Sequence, residues 1–247
     1  MKIAILSDIH SNIEALTTVQ ERMQEIEIDK AYCLGDIVGY GPNPLEIIRK
    51  SKEMFEICIL GNHDEAVLKK PEYFNKIPED AVYWTKDVLD QMGTQEDWDY
   101  LRTMKGIHRE HGLIFSHGIL DDNMSYATEA EDLFFIFDEM ENDDFLCLGG
   151  HSHQPSVWVL EDNELSFYEA DPNVQFQLNP KKKYWINVGS VGQPRDHDNR
   201  ACFLVYDSVL HTAHFERVDY DYKKTAEKIR SIDRLDNFLA ERLEAGI

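Results

Sequence analysis

Residues 2–10, KIAILSDIH, place a short apolar run directly before an acidic residue and a histidine. A run of this kind, bounded by polar residues, predicts a buried strand that ends near Asp8 and His10. The same pattern recurs in AYCLGDIV (residues 31–38) and EICILGN (residues 56–62). Apolar residues at helical spacing separate these runs, so predicted strands alternate with predicted helices. That alternation indicates an α/β fold with central parallel strands.

The later part of the chain adds two more such runs, after which predicted strands follow one another without predicted helices between them. GLIFSHG (residues 112–118) and FLCLGGHSH (residues 145–153) again end in histidines. The sequence beyond them is rich in strand-type alternation, which could add a second sheet to the first. Apolar spacing from Tyr222 to Leu243 predicts a C-terminal helix. Composition marks no boundary between these parts, so we expect a single domain over residues 1–247.

Polar residues gather at the predicted carboxyl ends of these strands. In open α/β sheets that edge forms the crevice in which ligands bind. Carboxylate, amide and imidazole side chains together suit ions such as Mn, Fe, Zn, Co and Ni. The set is too large for one ion, and a carboxylate can bridge two ions about 3.5–4 Å apart, an arrangement that serves displacement at phosphorus. The residues at these strand ends are Asp8, His10, Asp36, Asn62, His63, Asp64, His117, His151 and His153.

The charge balance narrows the classes of partner. Asp and Glu number 47 against 25 Lys and Arg, which gives a net charge of −22. A strongly acidic chain is a poor match for a nucleic-acid duplex or for an anionic membrane surface. Hydrophobic residues make up 43% of the chain, enough for a full core. We therefore expect a globular protein with a small-molecule substrate and no duplex or membrane partner.

The cysteines and the N-terminal residues bear on location. The 4 cysteines each lie in an apolar run and form no CxxC pair, which predicts buried thiols in a reducing compartment. The first residues lack the apolar core and cleavage site of a signal peptide. No stretch approaches the ~18 apolar residues of a membrane span. We expect a cytoplasmic protein, and the sequence leaves its oligomeric state open.

The motifs, in chain order, are Asp8-x-His10, Gly35-Asp36, Gly61-Asn62-His63-Asp64, a lone His117 and Gly150-His151-x-His153. Taken together, this series resembles the calcineurin-like metallophosphoesterases. NVGSVGQPRD (residues 187–196) is also similar to the glycine-rich late segment of the small bacterial phosphodiesterase and dinucleotide polyphosphate hydrolase branch. The resemblance covers at least residues 3–155, and it implies a four-layer α/β/β/α sandwich.

The resemblance also implies roles for the motif residues. The implied ligands of one metal ion are Asp8, His10 and His153, and those of the other are Asn62, His117 and His151. Asp36 would bridge the two ions. His63 would not be a ligand; it would lie beside the phosphate as a general acid, or stabilise charge on the leaving oxygen.

The implied reaction is hydrolysis of a small phosphodiester or of a pyrophosphate-linked nucleotide, such as a diadenosine polyphosphate. A hydroxide that bridges two ions would be the nucleophile. We expect Mn or Fe, with Zn, Ni and Co left open. Two alternatives are a phosphoprotein (Ser/Thr) phosphatase and a non-catalytic scaffold that keeps the fold. The complete ligand set and His63 argue against the scaffold.

The second motif departs from the pattern of the phosphoprotein phosphatases and the symmetric dinucleotide hydrolases that resemble them. Those proteins extend it to G-D-x-x-D-R-G, whereas this chain has Gly39 and Tyr40 in place of the acid and the arginine. Loss of the arginine weakens the phosphoprotein phosphatase hypothesis, because bidentate phosphate binding needs a guanidinium. It also leaves open which group orients His63, since the adjacent Asp64 could point away.

Two further residues are candidate substrate contacts. Arg195 could bind phosphate, or it could form a salt bridge with Asp196 or Asp198. Tyr40 could stack on a nucleobase, or it could pack on the adjacent GPNP loop. Both remain candidates for the substrate-binding surface.

The acidic segment 121–145 has two interpretations. Its apolar spacing predicts a solvated helix that buries Leu133, Phe134, Phe137 and Met140. Alternatively, the segment forms a lid over the metal site. An acidic lid would repel bulky polyanions and favour small substrates.

Overall fold

The structure, a computed structural model, describes residues 1–141 and 143–247. The strands are β1 (Lys2–Leu6), β2 (Lys30–Cys33), β3 (Ile57–Cys58), β4 (Ile107–Glu110), β5 (Leu113–Ser116), β6 (Leu146–Gly149), β7 (Ser156–Glu161), β8 (Glu164–Glu169), β9 (Gln175–Gln177), β10 (Lys183–Asn187), β11 (Ala201–Asp207) and β12 (Thr212–Val218). The helices are α1 (Ile13–Glu25), α2 (Pro44–Met54), α3 (Asn62–Leu68), α4 (Lys76–Met92), α5 (Gln95–Thr103), α6 (Ala130–Asp138), α7 (Tyr222–Arg230) and α8 (Asn237–Ala245).

The strands form two six-stranded sheets. Their orders are β3-β2-β1-β11-β12-β9 and β4-β5-β6-β10-β7-β8. β1, β2 and β3 run parallel, as do β5, β6 and β10. Leu6 pairs with Cys33 at the carboxyl ends of β1 and β2. This register brings the residues that follow the two strands to one edge of the sheet.

Side-chain alternation along the strands builds the layers. In β1, Ile3 and Ile5 join the core between the two sheets, while Ala4 and Leu6 join the core beneath α1, α2 and α4. α6 packs on the outer face of the second sheet through residues that include Leu133. The four layers are therefore helices, sheet, sheet and helices, as the resemblance implies.

The two sheets do not correspond to the α/β first half and the strand-rich second half of the sequence. β11 and β12, from the second half, complete the first sheet beside β1, whereas β5 and β6 belong to the second sheet. The later strands therefore contribute to both sheets, with β7, β8 and β10 in the second sheet and β9, β11 and β12 in the first. Because each sheet uses strands from both halves, we propose that residues 1–247 fold as one domain.

Several helices differ from their predictions. The expected C-terminal helix is two helices, because α7 ends at Arg230 and a new N-cap forms at Asp236, whose side chain accepts from the Phe238 amide. α3 begins at Asn62, where only a strand end was expected. Phe134, expected in the core, is 41% exposed on α6. Within the described ranges, none of the helices combines the length and apolarity needed to cross a bilayer.

Candidate metal centre

The motif residues converge although they follow strands of both sheets. The first sheet positions Asp8 and His10 after β1, Asp36 after β2, and Asn62 and His63 in the first turn of α3; the second positions His117 after β5 and His151 and His153 after β6. All of these side chains are buried. The site therefore lies where the carboxyl ends of the parallel strands of the two sheets meet.

Left-handed backbone conformation marks the loops that carry these residues. The φ angles are 53° at Asp8, 47° at His10, 52° at Asp36, 65° at His151 and 61° at His153. For a residue other than glycine this region costs about 1–3 kcal/mol, and it persists only where the surrounding structure holds it. The same conformation also occurs in exposed turns such as Asp162-Asn163, but here it falls on buried polar side chains, which is typical of a functional site.

Asp8, His10 and His153 form the first group of candidate ligands. His10 donates from Nδ1 to the Val38 carbonyl at 3.1 Å, and His153 donates from Nδ1 to the Gln193 carbonyl. Because a carbonyl only accepts, each ring carries its lone pair on Nε2. The Nε2 atoms of His10 and His153 lie 3.1 Å apart. Asp8 Oδ1 lies 3.1 Å from His153 Nε2, and among the described residues this oxygen has no hydrogen-bond partner. Acceptors that face one another in this way are the arrangement that a cation satisfies.

Asp36, His117 and His151 form a second group, with Asn62 beside it. His117 donates from Nδ1 to the Leu34 carbonyl at 2.8 Å, and its Nε2 lies 3.1 Å from Asn62 Oδ1. His151 donates from Nε2 to the Met124 carbonyl at 3.0 Å, which leaves the lone pair on Nδ1. A hydrogen bond from one ring nitrogen to a carbonyl sets the tautomer of a metal-binding histidine and leaves the other nitrogen free to bind the metal.

Asp36 lies between the two groups. Its Oδ2 is 3.7 Å from His10 Nε2 and 3.4 Å from His117 Nε2, while Oδ1 accepts from the His63 amide at 2.8 Å. One carboxylate oxygen therefore faces a histidine of each group. The donor set fits two ions that share the Asp36 carboxylate.

Burial and neighbouring charges set the protonation of the cluster. Burial lowers the pKa of His10 and of His153, and it brings that of His151 to about 3. Burial would raise the pKa of Asp8 and Asp36, but the adjacent histidines hold both below the usual carboxyl value. Burial would lower the pKa of His117, but Asp36 raises it to about 9. Ionised carboxylates and neutral imidazoles are the forms that bind metals.

His63 is buried beside the two groups, with a ring nitrogen within 4.8 Å of an Asp36 carboxylate oxygen but, among the described residues, no carboxylate at hydrogen-bond distance from the ring. Its ring centroid lies 4.4 Å from Tyr40, 4.9 Å from His10 and 5.0 Å from Phe74. In residues 1–141 and 143–247, its Nδ1 has no hydrogen-bond partner. Aromatic packing, together with the bond from its amide to Asp36, therefore orients this ring.

Asp64 points away from His63. Its carboxylate accepts from the amides of Val38 and Gly61, both at 3.1 Å. It thereby ties the loop after β2 to the start of α3. Asp64 is therefore not the group that orients the His63 ring.

Arg195 forms neither of the ion pairs considered for it. Asp196 pairs with Arg217 and Asp198 with Arg200. Arg195 instead donates from Nη2 to Gln193 Oε1 at 2.9 Å, and its guanidinium carbon lies 5.9 Å from the centroid of the Tyr40 ring. A guanidinium is thus present beside position 40, although it comes from a distant segment.

Tyr40 lines the site but is 8% exposed. Its ring contacts His10 and His63, with centroids 4.5 and 4.4 Å apart. It also joins the apolar cluster of α7 and α8, which the sequence does not foresee. These contacts leave little of the ring free for a nucleobase.

A cavity of about 590 Å³ opens over the cluster, within the range of small-molecule sites. Asp36, His63, Tyr40 and Arg195 line it, as expected. It also includes residues that sequence reasoning missed, namely Phe74, Lys76, Tyr126, Phe238 and Arg242. They lie on elements without motifs, so no local pattern marks them.

The segment 121–145 contributes to the cavity through its first part. Met124 and Tyr126 line the cavity, and the Tyr126 ring stacks on His151 at 4.1 Å. α6 packs instead on the second sheet and buries Leu133 and Phe137. α6 thus agrees with the helix interpretation apart from the exposed Phe134, and the lid stays a prediction. Residue 142 of the segment lies outside the described residues.

Comparison with known proteins agrees with this geometry. Residues 1–209 match the model of the calcineurin-like phosphoesterase superfamily domain. The chain is 39% identical to the uncharacterized protein MJ0912 of Methanocaldococcus jannaschii, over 99% of this chain and 98% of that protein. It is 25% identical to a symmetrical bis(5'-nucleosyl)-tetraphosphatase of Aliivibrio salmonicida, over 62% of this chain and 58% of that protein.

A solved structure extends the match over the whole fold. The metallophosphoesterase from Sphaerobacter thermophilus has a TM-score of 0.86 and 29% identity, over 100% of this chain and 99% of that one. With the family match and the shared two-sheet architecture, this similarity settles the assignment. The chain belongs to the calcineurin-like phosphoesterase superfamily and is a metal-dependent phosphoesterase.

Proposed function

We propose that this protein is a two-metal hydrolase of small phosphodiesters or pyrophosphate-linked nucleotides. The observation that carries the proposal is the placement of Asp36, with one carboxylate oxygen facing a histidine of each ligand group on the floor of the cavity. The similarity to a symmetrical tetraphosphatase supports the nucleotide class. Mn or Fe is the proposed metal, since both accept mixed nitrogen and oxygen ligands.

The proposed ligands follow the two groups of the structure. One ion would be held by Asp8, His10 and His153, the other by Asn62, His117 and His151, and both by Asp36. When bound, two ions supply charge that offsets the phosphoryl oxygens and lowers the pKa of water.

We propose that His63 acts on the leaving oxygen. Its amide is tied to Asp36, and its ring lines the cavity between Tyr40 and Phe74. Burial lowers the pKa of His63 to about 4, although the Asp36 carboxylate opposes that shift. The ring of the free protein is therefore neutral at neutral pH, and the negative charge of a bound phosphate would favour its protonation. Donation of that proton would release the leaving group.

The proposal includes a cytoplasmic location. Cys33, Cys147 and Cys202 are free and buried, which suits a reducing compartment. Fractionation of cells that carry the native protein tests this, and its recovery outside the cytoplasm would contradict it.

Product analysis tests the function. Chelated protein, reloaded with Mn²⁺, is incubated with diadenosine tetraphosphate, with bis-p-nitrophenyl phosphate and with a phosphoserine peptide, and the products are separated by chromatography. We expect metal-dependent cleavage of the first two substrates. His63→Ala should lower kcat by about 10²–10⁴-fold. His214→Ala, on β12 and bonded to Glu216, is the matched control and should retain activity.

Two outcomes would contradict the proposal. If metal-loaded protein cleaves neither diester nor dinucleotide, the site is not a phosphodiesterase centre. If only the phosphopeptide is hydrolysed, the protein is a phosphoprotein phosphatase, with Arg195 supplying the guanidinium that position 40 lacks.

A further inference from the structure

Cationic side chains line the cavity over the cluster, although the chain as a whole is strongly acidic. The net charge is −22, yet Lys76, Arg195 and Arg242 all line this cavity. Lys76 is ion-paired with Asp80 on its own helix, so the two arginines are the cations that matter for a ligand. Among the described residues, Asp36 on its floor is the one carboxylate of the lining. A local excess of cations against the overall charge indicates an anionic ligand.

Among the described residues, most N–H donors of the Arg195 guanidinium have no partner. Apart from the bond to Gln193 Oε1, its guanidinium makes no other side-chain contact of ion-pair or hydrogen-bond type in the described part of the chain, and its Nε is buried without a partner. An unpartnered buried donor is costly unless a ligand satisfies it. The Arg195 guanidinium carbon lies 5.9 Å from the centroid of the Tyr40 ring, and the Tyr40 centroid lies 4.4 Å from that of His63. Tyr40 therefore places Arg195 near His63, the group proposed to act on the leaving oxygen.

Arg242 contributes a second guanidinium to the lining of the same cavity. It lies on α8, and its Nε donates to the main-chain oxygen of Ile247 at 2.7 Å. In residues 1–141 and 143–247, its two Nη atoms have no hydrogen bond, and no Asp or Glu side chain lies within ion-pair distance. Burial, and then the charge of Arg195, lower the pKa of Arg242 to about 10. Two guanidinium groups that repel each other across one cavity are stabilised together by an anion between them.

Aromatic rings flank the two arginines. Tyr126 and Phe238 line the cavity and are 49% and 41% exposed. Tyr126 stacks on His151 with 13° between the rings, which leaves its other face open. Phe238 lies one helical turn before Arg242, whose guanidinium carbon is 5.6 Å from the Phe238 ring. Exposed rings beside guanidinium groups suit a base joined to phosphate.

We infer that Arg195 and Arg242 form a paired-arginine subsite that binds the phosphates on the leaving-group side of a nucleoside polyphosphate, with the base against Phe238 or Tyr126. The inference rests on the proposed function and narrows its substrate class to phosphoanhydride-linked nucleotides. α8 lies outside residues 1–209, so the family match does not supply Arg242. Arg242 is on this argument a specificity-determining residue.

Binding of separate ligand parts tests the subsite. Mn²⁺-loaded protein is titrated calorimetrically with α,β-methylene-ADP, with pyrophosphate and with adenosine, so that phosphate and base are measured apart. We expect Arg242→Gln to weaken α,β-methylene-ADP and pyrophosphate by about tenfold or more, and adenosine by less than about twofold. Phe238→Ala should weaken the adenosine-containing ligands and spare pyrophosphate. Arg230→Gln is the matched control, because Arg230 is ion-paired with Glu244 on the neighbouring helix.

A second variant separates charge from folding. Arg242→Lys keeps a positive charge on α8 and should recover part of the pyrophosphate affinity, and each variant's thermal unfolding is recorded. Equal pyrophosphate affinity in Arg242→Gln and Arg230→Gln would overturn the subsite. So would an equal loss of adenosine and pyrophosphate binding, since that pattern reports a displaced helix.

The same preparations are assayed with bis-p-nitrophenyl phosphate. Wild-type protein that does not cleave this diester contradicts the proposed function, whatever the titrations give. Diester cleavage combined with unchanged pyrophosphate binding in Arg242→Gln contradicts the subsite alone.

Discussion

Gly39 explains at the residue scale how the chain holds His63 without a carboxylate. Its φ of +89° lies in the region that favours glycine, and a Cβ there would lie 2.3 Å from His63 Nδ1. The space that a side chain at position 39 would fill is therefore taken by the imidazole. Tyr40 and Phe74 then pack against the ring.

Gly39→Ala should accordingly displace His63. We expect kcat on bis-p-nitrophenyl phosphate to fall by about tenfold or more, because small shifts of a catalytic group are costly. The free energy of unfolding should fall by about 1–3 kcal/mol from the clash and the unfavourable φ. Steady-state kinetics and urea unfolding measure the two effects.

Gly106→Ala is the control for this substitution. A Cβ at Gly106 meets nothing within 4 Å, so activity should be unchanged. If Gly39→Ala retains wild-type kcat, then aromatic packing against a glycine is not what positions His63.

At the scale of elements, an ion pair joins α1 to β12. Arg22 on α1 donates to Glu216 on β12 at 2.9 Å, and His214 lies 3.2 Å from the same carboxylate. The His214 contact lowers the pKa of Glu216 most; burial opposes the shift and Arg22 adds to it, so that the value is about 2. A carboxyl with a depressed pKa in the folded state stabilises the fold above its unfolded pKa and loses that effect as pH falls toward the folded value.

Glu216→Gln should therefore destabilise the protein at pH 7 by about 1 kcal/mol, a modest figure because Arg22 is partly exposed to solvent. The difference from wild type should shrink as pH falls from about 4.5 toward about 2. Urea unfolding across this pH range measures it. Glu25→Gln is the matched control, since Glu25 also bonds Arg22 but is 67% exposed, and should cost little. A Glu216→Gln effect that does not change with pH would show that the carboxylate charge is not responsible.

At the scale of the whole molecule, the proposed ions would join the two sheets. Asp8, His10 and Asp36 follow strands of the first sheet, whereas His117 and His153 follow strands of the second. A ligand that binds only the folded state stabilises it by mass action. Metal binding at this junction should therefore oppose unfolding of the whole chain.

Addition of Mn²⁺ at 100 times its Kd should raise the free energy of unfolding by about 2.7 kcal/mol. Asp36→Asn should remove most of this increase, because Asp36 faces both ligand groups. Thermal unfolding with and without chelator measures the shift. Asp87→Asn, at an exposed ion pair with Arg234, is the control and should keep it. An Mn²⁺ effect in Asp36→Asn equal to that of wild type would place the metal elsewhere.

Local features of this protein could be predicted from short stretches of its sequence. Apolar runs such as KIAIL set β1, and the side chains that follow them had to lie at strand ends, so Asp8, Asp36 and His117 could be predicted to lie near one another. Helices with apolar residues at helical spacing between the first three strands, such as α1 and α2, were also predictable. Periodicity and turn residues act over a few positions, which is why they can be read from the chain.

The sheet that each strand joins, the position of Arg242 in the cavity lining and the packing of Tyr40 on His63 could not be predicted from short stretches of sequence. The same holds for the hydrogen bonds by which Asp64 joins two loops and for the space that Gly39 leaves for the imidazole. The reason is physical. These placements depend on strand pairing and on packing between segments far apart in the chain, and no short-range pattern specifies either one.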